Sequence, residues 1–536
     1  KGQKYSEMEL QIIDTGYGLE RFCWAAAGTP TIYEAIYPES IDWLKTISGF
    51  DSFLESLSIR VEMEVLLSEL SRLAGILNID VGTDVEELYI NLSERLSENG
   101  ISISLDDLKK VTEPLSSIYA IPDHMHAICN MLGDGLVPSN SKAGYLVRML
   151  ARRVCRMKDA LSIPVSLSQL GAHHIQTHLD IGGFVQSEDG ILKILELEEA
   201  RYHEMLRKGR AAVNTALKGT PRGSKQINDE ILFRLSEERG LNPDMVVSIA
   251  KELGWPNLEV RVGFTADMAA RNALMTKNAS KSKDRGFVFD TSGIGITQLD
   301  YYDDTEALEF QAEVLHCFTL TDDMISELTF SGEVESIPTH AIVTDRTLFY
   351  PEGGGQLGDQ GKFSQDGREF LVLDTKSQEG VVLHFTGSSL KKGKVMGTLN
   401  RDRRKQLMDH HTAVHIVGGA ARHILGPHVW QAGSNKGARY ARLDITHYSR
   451  LTRKEIEAIE DLANNIIDSN LKIKKEVLDR SDADSKYGFD IYQGGPPKHS
   501  RIRVISIGDF YIQACGGTHH ETVSSIGELS ILKSSQ

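Results

Sequence analysis

His411-Thr-Ala-Val-His415 and Cys515-Gly-Gly-Thr-His519 decide how the second half of this chain is read. Each stretch places two metal-capable side chains four residues apart. On a helix, positions i and i+4 share a face, so His411 and His415 can grip one ion together. In the second stretch paired glycines let the backbone turn tightly and bring Cys515 and His519 to one point. One thiolate and three imidazoles form a soft-to-borderline donor set that suits zinc.

The spacing alone is weak evidence. With 18 histidines in 536 residues, chance gives roughly 0.6 His-x-x-x-His pairs and about 0.2 Cys-x-x-x-His pairs. His174 and His178 repeat the first spacing without a cysteine partner and are read as helix-surface or capping histidines. The joint pattern with its glycines is the informative one. Its bland alternative is a buried cysteine and unrelated surface histidines.

A chain of 536 residues is too long for one core, so three or four domains are expected. It starts at Lys1, which reads as a fragment or a processed chain. No apolar run is long enough to span a membrane. Five scattered cysteines, Cys23, Cys129, Cys155, Cys317 and Cys515, argue for a reducing compartment without a disulfide framework. The net charge of −16 argues against nucleic acid taken alone. Yet basic residues cluster at 148–158, 401–405, 436–442 and 498–503. Any one cluster reads as a solvated face; together they raise an RNA-contact reading.

Taken in order, Met8–Ile13 reads as a strand, followed by Asp14-Thr-Gly-Tyr-Gly-Leu-Glu-Arg21 and an apolar helix start. Gly16 and Gly18 allow close approach of a ligand, and Arg21 offers a planar fork to phosphate. The bland reading is a strand-to-helix turn. Residues 31–270 read as mostly helical, with apolar spacing over 50–77, 106–120 and 191–217. Ser139 or Asn140 can cap a helix after Pro138, and Gly240 reads as a helix-ending glycine. Residues 271–305 are polar and non-periodic and read as a linker. Short strands then predict a small β-barrel over 306–400. It contains Tyr350-Pro-Glu-Gly-Gly-Gly-Gln356, whose glycines expose backbone N–H groups to a ligand or simply close a hairpin. Residues 401–536 mix helices and strands around the metal motifs. The fold expectation is therefore a multidomain α+β chain: a helical domain, a small barrel and an α+β zinc-containing core.

Asp14-Thr-Gly-x-Gly-Leu-Glu-Arg21 resembles motif 3 of class II aminoacyl-tRNA synthetases in its alanyl form. Asp123 to Asn140, followed by Gly144-Tyr-Leu, resembles the tRNA-recognition domain of archaeal-type alanyl-tRNA synthetases. Residues 340–536 resemble the editing domain of the same family, through Thr347 to Gln356, His411 to His415, Gln431-Ala-Gly-Ser434, Tyr492-Gln-Gly-Gly495 and Cys515 to His519. The resemblance implies that Arg21 holds an ATP phosphate and Asp14 the alanine amino group, beside Gly16 and Gly18. It assigns 1–30 to the end of the aminoacylation domain and implies that motifs 1 and 2 precede Lys1, so that this chain alone does not activate alanine. It implies that Asn140 reads the minor groove of the G·U pair in the tRNAAla acceptor stem. An amide both donates and accepts there. A second reader maps to Glu237, where the family has an aspartate.

By the same resemblance, one zinc ion sits on His411, His415, Cys515 and His519 in a proofreading site. A pocket built for alanine rejects glycine and serine by only about 10- to 200-fold, so a second, hydrolytic site is needed. Thr347, Gln356, Gln431 and Cys515 are the candidate catalytic residues, Thr347 as partner of the serine hydroxyl and Gln431 as pocket wall. ATP and Mg2+ serve the full-length enzyme, with alanine and tRNAAla as its other partners and the cytoplasm as its place. A homodimer through the family's C-terminal domain, absent from this chain, is left open. Two rivals remain: a threonyl-type editing domain, and a non-catalytic RNA-binding protein with a structural zinc.

Overall fold

A computed structural model describes residues 15–57, 63–74, 85–140, 142–241, 243–261, 263–264, 267–268, 289–328, 330, 336–492 and 500–535. The chain divides into two compact units, Lys1–Ala269 and Ala270–Gln536.

The first unit is helical. Its described helices are α1 Leu19–Ala27, α2 Ile32–Ile36, α3 Pro38–Ile47, α4 Phe50–Ser56, α5 Met63–Ala74, α6 Val85–Glu98, α7 Leu105–Gly133, α8 Lys142–Ala160, α9 Leu167–His178, α10 Glu188–Ala216, α11 Asp229–Arg239 and α12 Pro243–Glu252. The predicted strand over Met8–Ile13 lies outside the described residues. Helix α7 runs 29 residues, past the end expected at 120, with Pro114 and Pro122 inside it. Each proline removes a helix hydrogen bond. Burial of Leu108, Val111, Leu115, Ile118, Met125 and Ile128 along one side holds the helix through both. Helix α11 ends as its glycine predicts: Gly240 is left-handed, at φ 66°.

The reading of His174 as a surface histidine is corrected. It is 2% exposed. Its Nε2 lies 3.2 Å from His126 Nδ1 on α7, and Tyr37 packs on its ring. His178, one turn on, meets Ser40 Oγ at 2.8 Å. Helix α9 turns this face towards α3 and α7, so its histidines serve packing. Burial first, with His178, His126 and His173 adding, holds His174 down to about 3.

The second unit opens with a barrel. Its strands are β1 Gln298–Leu299, β2 Glu309–Thr319, β3 His340–Thr344, β4 Arg346–Thr347, β5 Gly361–Gln365, β6 Arg368–Gln378, β7 Val381–Thr386 and β8 Gly393–Leu399. The closed order is β2-β3-β7-β6-β5-β8, every pairing antiparallel. In β2, Phe310, Ala312 and Val314 point inward and Glu309, Gln311 and Glu313 outward, the period-two pattern of a half-buried strand. The interior is filled by Phe310, Phe349, Phe363, Val372, Val395 and Leu399, each large side chain contributing roughly 1.5–3 kcal/mol on burial. Gly361 and Gly397 let strands close: a Cβ would sit 2.2 Å from Thr398 O at the first and 2.3 Å from the Phe310 ring at the second.

Residues 289–305, assigned above to a linker, instead pack on the barrel. Phe289 joins Val381, Leu383 and Phe385 of β7, with Leu320 and Met324 of the short helix α13, Asp322–Glu327. Tyr301 enters the interior cluster. Strand β7 is consequently buried on both faces, so this segment is a cover for the barrel and reads as linker only in composition.

The remainder comprises α14 Arg401–Leu425, β9 Gln431–Lys436, β10 Ala441–Ile445, α15 Arg453–Asp468, β11 Ile473–Asp479, α16 Arg480–Tyr487, β12 Arg501–Ile507 and β13 Tyr511–Ala514. Strands β11-β12-β13 form an antiparallel sheet and β9 pairs β10. Ile416 and Ala420 of α14 pack on Ile459, Ala463 and Ile467 of α15 and on Ile473, Ile505 and Ile507 of the sheet. Asn400 caps α14 by accepting from Arg403 N.

Two measurements test these packing arguments. Between pH 6.5 and about 3 the unfolded chain binds a proton that folded His174 refuses, so stability is complete above pH 6.5 and falls as pH drops through this window. The slope from this residue is at most about 1.4 kcal/mol per pH unit. Hydrogen exchange over 167–178, corrected for intrinsic rates, should rise with acid in the natural chain and rise less in His174→Gln; equal responses would remove His174 as the cause. In the second unit, Arg404→Met strands Asp359 without its buried partner. Urea unfolding should show a loss of about 3–5 kcal/mol, and a loss below about 1 kcal/mol would show the pair to be no more than a surface-type ion pair.

Candidate metal centre and the Asn140 loop

Helix α14 carries His411 and His415 on its buried face. After β13 the chain turns through Cys515-Gly-Gly-Thr-His519 and brings a thiol and a third imidazole against them. The ligand-capable atoms of all four residues lie within 4.8 Å of one another, and no other such group occurs among the described residues. Cys515 Sγ is 3.2 Å from His411 Nε2 and 3.5 Å from His519 Nε2. A tetrahedral ion with sulfur at ~2.3 Å and nitrogen at ~2.0 Å would set these separations near ~3.5 Å.

Outer partners fix the rings. Gln356 Oε1 accepts from His411 Nδ1 at 2.7 Å, so Nε2 is the nitrogen turned to the cluster. Gln356 is itself held by Thr518, its Nε2 donating to Thr518 Oγ1 at 3.0 Å. Thr412 Oγ1 lies 3.2 Å from His519 Nδ1 and leaves that ring's Nε2 facing Cys515. His415 Nδ1 is buried without a hydrogen-bond partner. Gly517 lies flat on His411: a Cβ there would be 1.9 Å from His411 Cε1. Burial holds all three imidazoles neutral, His415 at about 3 and the others well below the usual range. Burial also pushes the Cys515 thiol up; a bound cation reverses that preference. Donor set, spacing and outer partners fit a zinc-type ion.

The Gly353–Gln356 turn supports this from the barrel side. Gly354 and Gly355 both have positive φ, 57° and 77°, and Gly353 and Gln356 exchange backbone hydrogen bonds of 3.0 and 2.9 Å. This is a two-residue hairpin turn. Its N–H groups at 353 and 356 are spent on each other, so the hairpin reading holds over the ligand-cradle reading there. Gly355 O accepts from Lys436 N at 2.7 Å. Gln431 Nε2 donates to Ser434 Oγ at 3.2 Å on β9.

Thr347 is not brought to the cluster by any contact. It is fully buried in the barrel; its Oγ1 lies 2.8 Å from His384 Nε2 and accepts from Phe349 N at 3.0 Å. Two of the basic stretches also turn inward. Arg403 reaches Gly358 O, and Arg404 binds Asp359 and the carbonyls of Thr305 and Leu348. Arg503 Nη1 donates to Cys515 O and Gly517 O at 3.0 and 2.8 Å. These cations shape the site and are not available to RNA. Sequence reading missed Thr412, Thr518 and Arg503 as supports; only their closeness to the ligands in sequence hinted at the first two.

In the helical unit, Asn140 is exposed at the start of α8. Its Oδ1 accepts from Arg148 Nη1 at 2.6 Å. Arg148 is anchored by buried Glu198 at 3.0 and 3.1 Å and by Pro138 O at 3.1 Å. The amide is thus oriented. Gly144 permits the loop, since a Cβ there would meet Val137 O at 2.2 Å. Arg152 Nη1 donates to Gly240 O at 3.2 Å, tying α8 to the end of α11. Glu237 lies on α11, but its side chain is outside what the structure describes. Asp14 is also outside the described residues. Arg21 is exposed on α1, after Gly16 and Gly18, with Tyr17 79% and Phe22 59% exposed nearby.

Two cavities, of about 470 and 530 Å³, lie elsewhere in the second unit, around Phe289–Val381 and Arg450–Ile531, and contain none of these residues.

Residues 1–403 match the family described as tRNA synthetases class II (A). Residues 502–536, carrying Cys515 and His519, match the threonyl and alanyl tRNA synthetase second additional domain. The chain therefore belongs to the class II tRNA synthetases. Among similar curated proteins are archaeal alanine–tRNA ligases. That of Halorubrum lacusprofundi is 38% identical over 536 residues, 99% of this chain and 54% of the relative. That of Natronomonas pharaonis is 39% identical over 532 residues, covering 99% and 54%, and that of Pyrococcus furiosus 37% over 540 residues, covering 99% and 55%. The chain spans about half the length of the curated relatives it matches.

Gly517→Ala is expected to abolish stoichiometric zinc binding, measured by metal analysis after dialysis, by driving His411 out of line. Gly516→Ala, whose Cβ would meet only Tyr302 Oη at 3.4 Å, should retain it. Equal zinc content in both would show that the cluster does not depend on this packing.

Proposed function

We propose that this chain is the tRNA-recognising and proofreading part of an alanine–tRNA ligase, hydrolysing seryl- and glycyl-tRNAAla. The observation that carries the reading is the buried cluster of His411, His415, Cys515 and His519, with Gln356 and Thr412 orienting two of its rings, inside a chain of this family. The alanine–tRNA ligase relatives favour it over a threonyl-type domain. Residues 31–270 form the recognition part and 306–536 the editing part, with 289–305 joined to the barrel. The whole ligase would attach alanine to tRNAAla with ATP and Mg2+, and Asp14, Gly16, Gly18 and Arg21 belong to that activity. No described helix is long and apolar enough to cross a membrane; the reading places the protein in the cytoplasm.

Zinc held by the four residues would supply a fixed positive charge that positions the end of the aminoacylated strand. The protein groups do the rest. Gln356 keeps His411 in the tautomer that presents Nε2. Arg503 holds the carbonyls of Cys515 and Gly517, so the ligand loop keeps its shape. Gln431 and Ser434 line β9 as the polar wall proposed for the amino-acid side. Thr347, held by His384, could meet the serine hydroxyl as an acceptor through the lone pair that its bonds to His384 and Phe349 N leave over. Asn140, oriented by Arg148, is the proposed reader of the G·U pair, with Glu237 as second reader.

The test compares hydrolysis of seryl-tRNAAla and alanyl-tRNAAla by this chain, with and without a zinc chelator. Serine should be released at least ~10-fold faster than alanine, and chelation should stop it. Binding of tRNA without hydrolysis of either would leave a recognition module with a structural metal.

A further inference from the structure

Lys436 closes β9 and is 2% exposed, although its sequence neighbours made it look like part of a surface basic stretch. Its Nζ donates to Gly354 O at 2.7 Å and to Ser434 Oγ at 2.6 Å. Both acceptors are neutral, and among the described residues no carboxylate pairs with it. An ammonium has three donors, so one is left over. The backbone of Lys436 is bonded to Gly355 and Leu357, on either side of the glutamine that holds His411. The spare donor therefore belongs to the same rigid turn as the first imidazole.

The negative group that acts on Lys436 is the Cys515 thiolate, which the cluster itself uses, and the carboxylates of this part of the chain are committed elsewhere. Asp359 is taken by Arg404, Asp409 by His520 and Lys405, and Glu521 by Lys475. Arg503 adds a second cation beside the cluster, and its Nη2 is buried without a hydrogen-bond partner. A buried cation with no carboxylate of its own is costly. Such an arrangement is useful where an anion arrives or develops. RNA phosphates run along surfaces, where exposed cations meet them. An ammonium this deep meets only what is seated at the bottom of the site, the reacting ester.

Resting on the hydrolytic reading above, we propose that Lys436 stabilises the oxyanion of the hydrolysis, its spare N–H directed at the carbonyl oxygen of the aminoacyl ester. Water oxygen bonds to the carbonyl carbon and the C=O electron pair moves onto the carbonyl oxygen, where Lys436 meets it. The pair then returns, the bond from carbon to the terminal ribose oxygen breaks, and that oxygen takes the proton released by the water. One ester and one water give one amino acid and one ribose hydroxyl, with no redox partner.

The test uses the full chain with seryl-tRNAAla and two non-hydrolysable 3′-terminal analogues, a neutral amide and a phosphonate carrying the tetrahedral anion. Lys436→Met should lower kcat by ~10²-fold while KM stays within about threefold. Phosphonate affinity should fall by the same factor and amide affinity should hold. Lys436→Arg keeps the charge but moves it, and should lower kcat and phosphonate affinity together by about tenfold, carrying the test should the Met variant lose its folded thermal transition. Unchanged kcat, or equal weakening of amide and phosphonate, overturns the proposal; a rise in KM alone would make Lys436 a strand contact and overturn it too. A natural chain that hydrolyses nothing overturns the hydrolytic reading instead. The phosphonate–amide difference still decides Lys436 by itself.

Discussion

A buried ion pair, Arg404 with Asp359, sets the register between the site helix and the barrel in the second unit. Asp359 Oδ2 also accepts from Tyr350 N at 2.7 Å, and Arg404 Nη1 reaches Thr305 O at 3.2 Å. Arg403, its neighbour, holds Gly358 O. Three segments of the barrel wall are thereby fixed to the first turn of α14. His411 follows Arg404 by about two helical turns and His415 by about three, on the same side. Placing Arg404 therefore places both imidazoles, and the turn it grips also carries Gln356, which orients the first of them. A charge pair this deep is expensive to break, so the helix cannot slide along the barrel without losing it.

This dependence explains what the sequence could and could not announce. The four residues of the cluster were legible as a group because each pair lies within four residues, so local geometry already brings its members together. Gln356 stood out by its glycine-rich context, but the partner that sets it beside the cluster lies 55 residues away. The arginines at 403 and 404 and Lys436 were misread for the same reason. A run of cations looks solvated until the distant carboxylate or carbonyl that buries it is seen. Thr347 shows another long-range dependence: its hydroxyl is engaged by His384, on a strand 37 residues along the chain.

In the helical unit the legible part was the periodicity and the Gly240 stop; the hidden part was again long-range. His174 has the spacing of a surface pair, yet α3 and α7 cover it. Asn140 looks like a helix cap in sequence. Its amide is held by Arg148, which Glu198, fifty residues on, holds in turn. Such a chain of charge-assisted bonds removes rotamer freedom before any ligand arrives. An exposed asparagine held this way is suited to reading a single base pair, because the ordering cost is met during folding.

The cluster's own stoichiometry constrains the proposed chemistry. Four protein donors would fill the shell of a tetrahedral ion held there and leave it no open position. Within the proofreading reading the ion's part is then to position the strand end, and the charge that develops on the ester must be met by protein donors. The imidazoles are held neutral and committed to the cluster, and the N–H groups of Gly353 and Gln356 are spent on the hairpin. Thr412 and Thr518 are engaged with His519 and Gln356. Two cations stand beside the cluster with donors to spare: Arg503, whose second nitrogen lacks a partner, and Lys436, with its one spare donor. The same scarcity of carboxylates that makes these cations costly in the folded chain is what would make them effective towards an oxyanion.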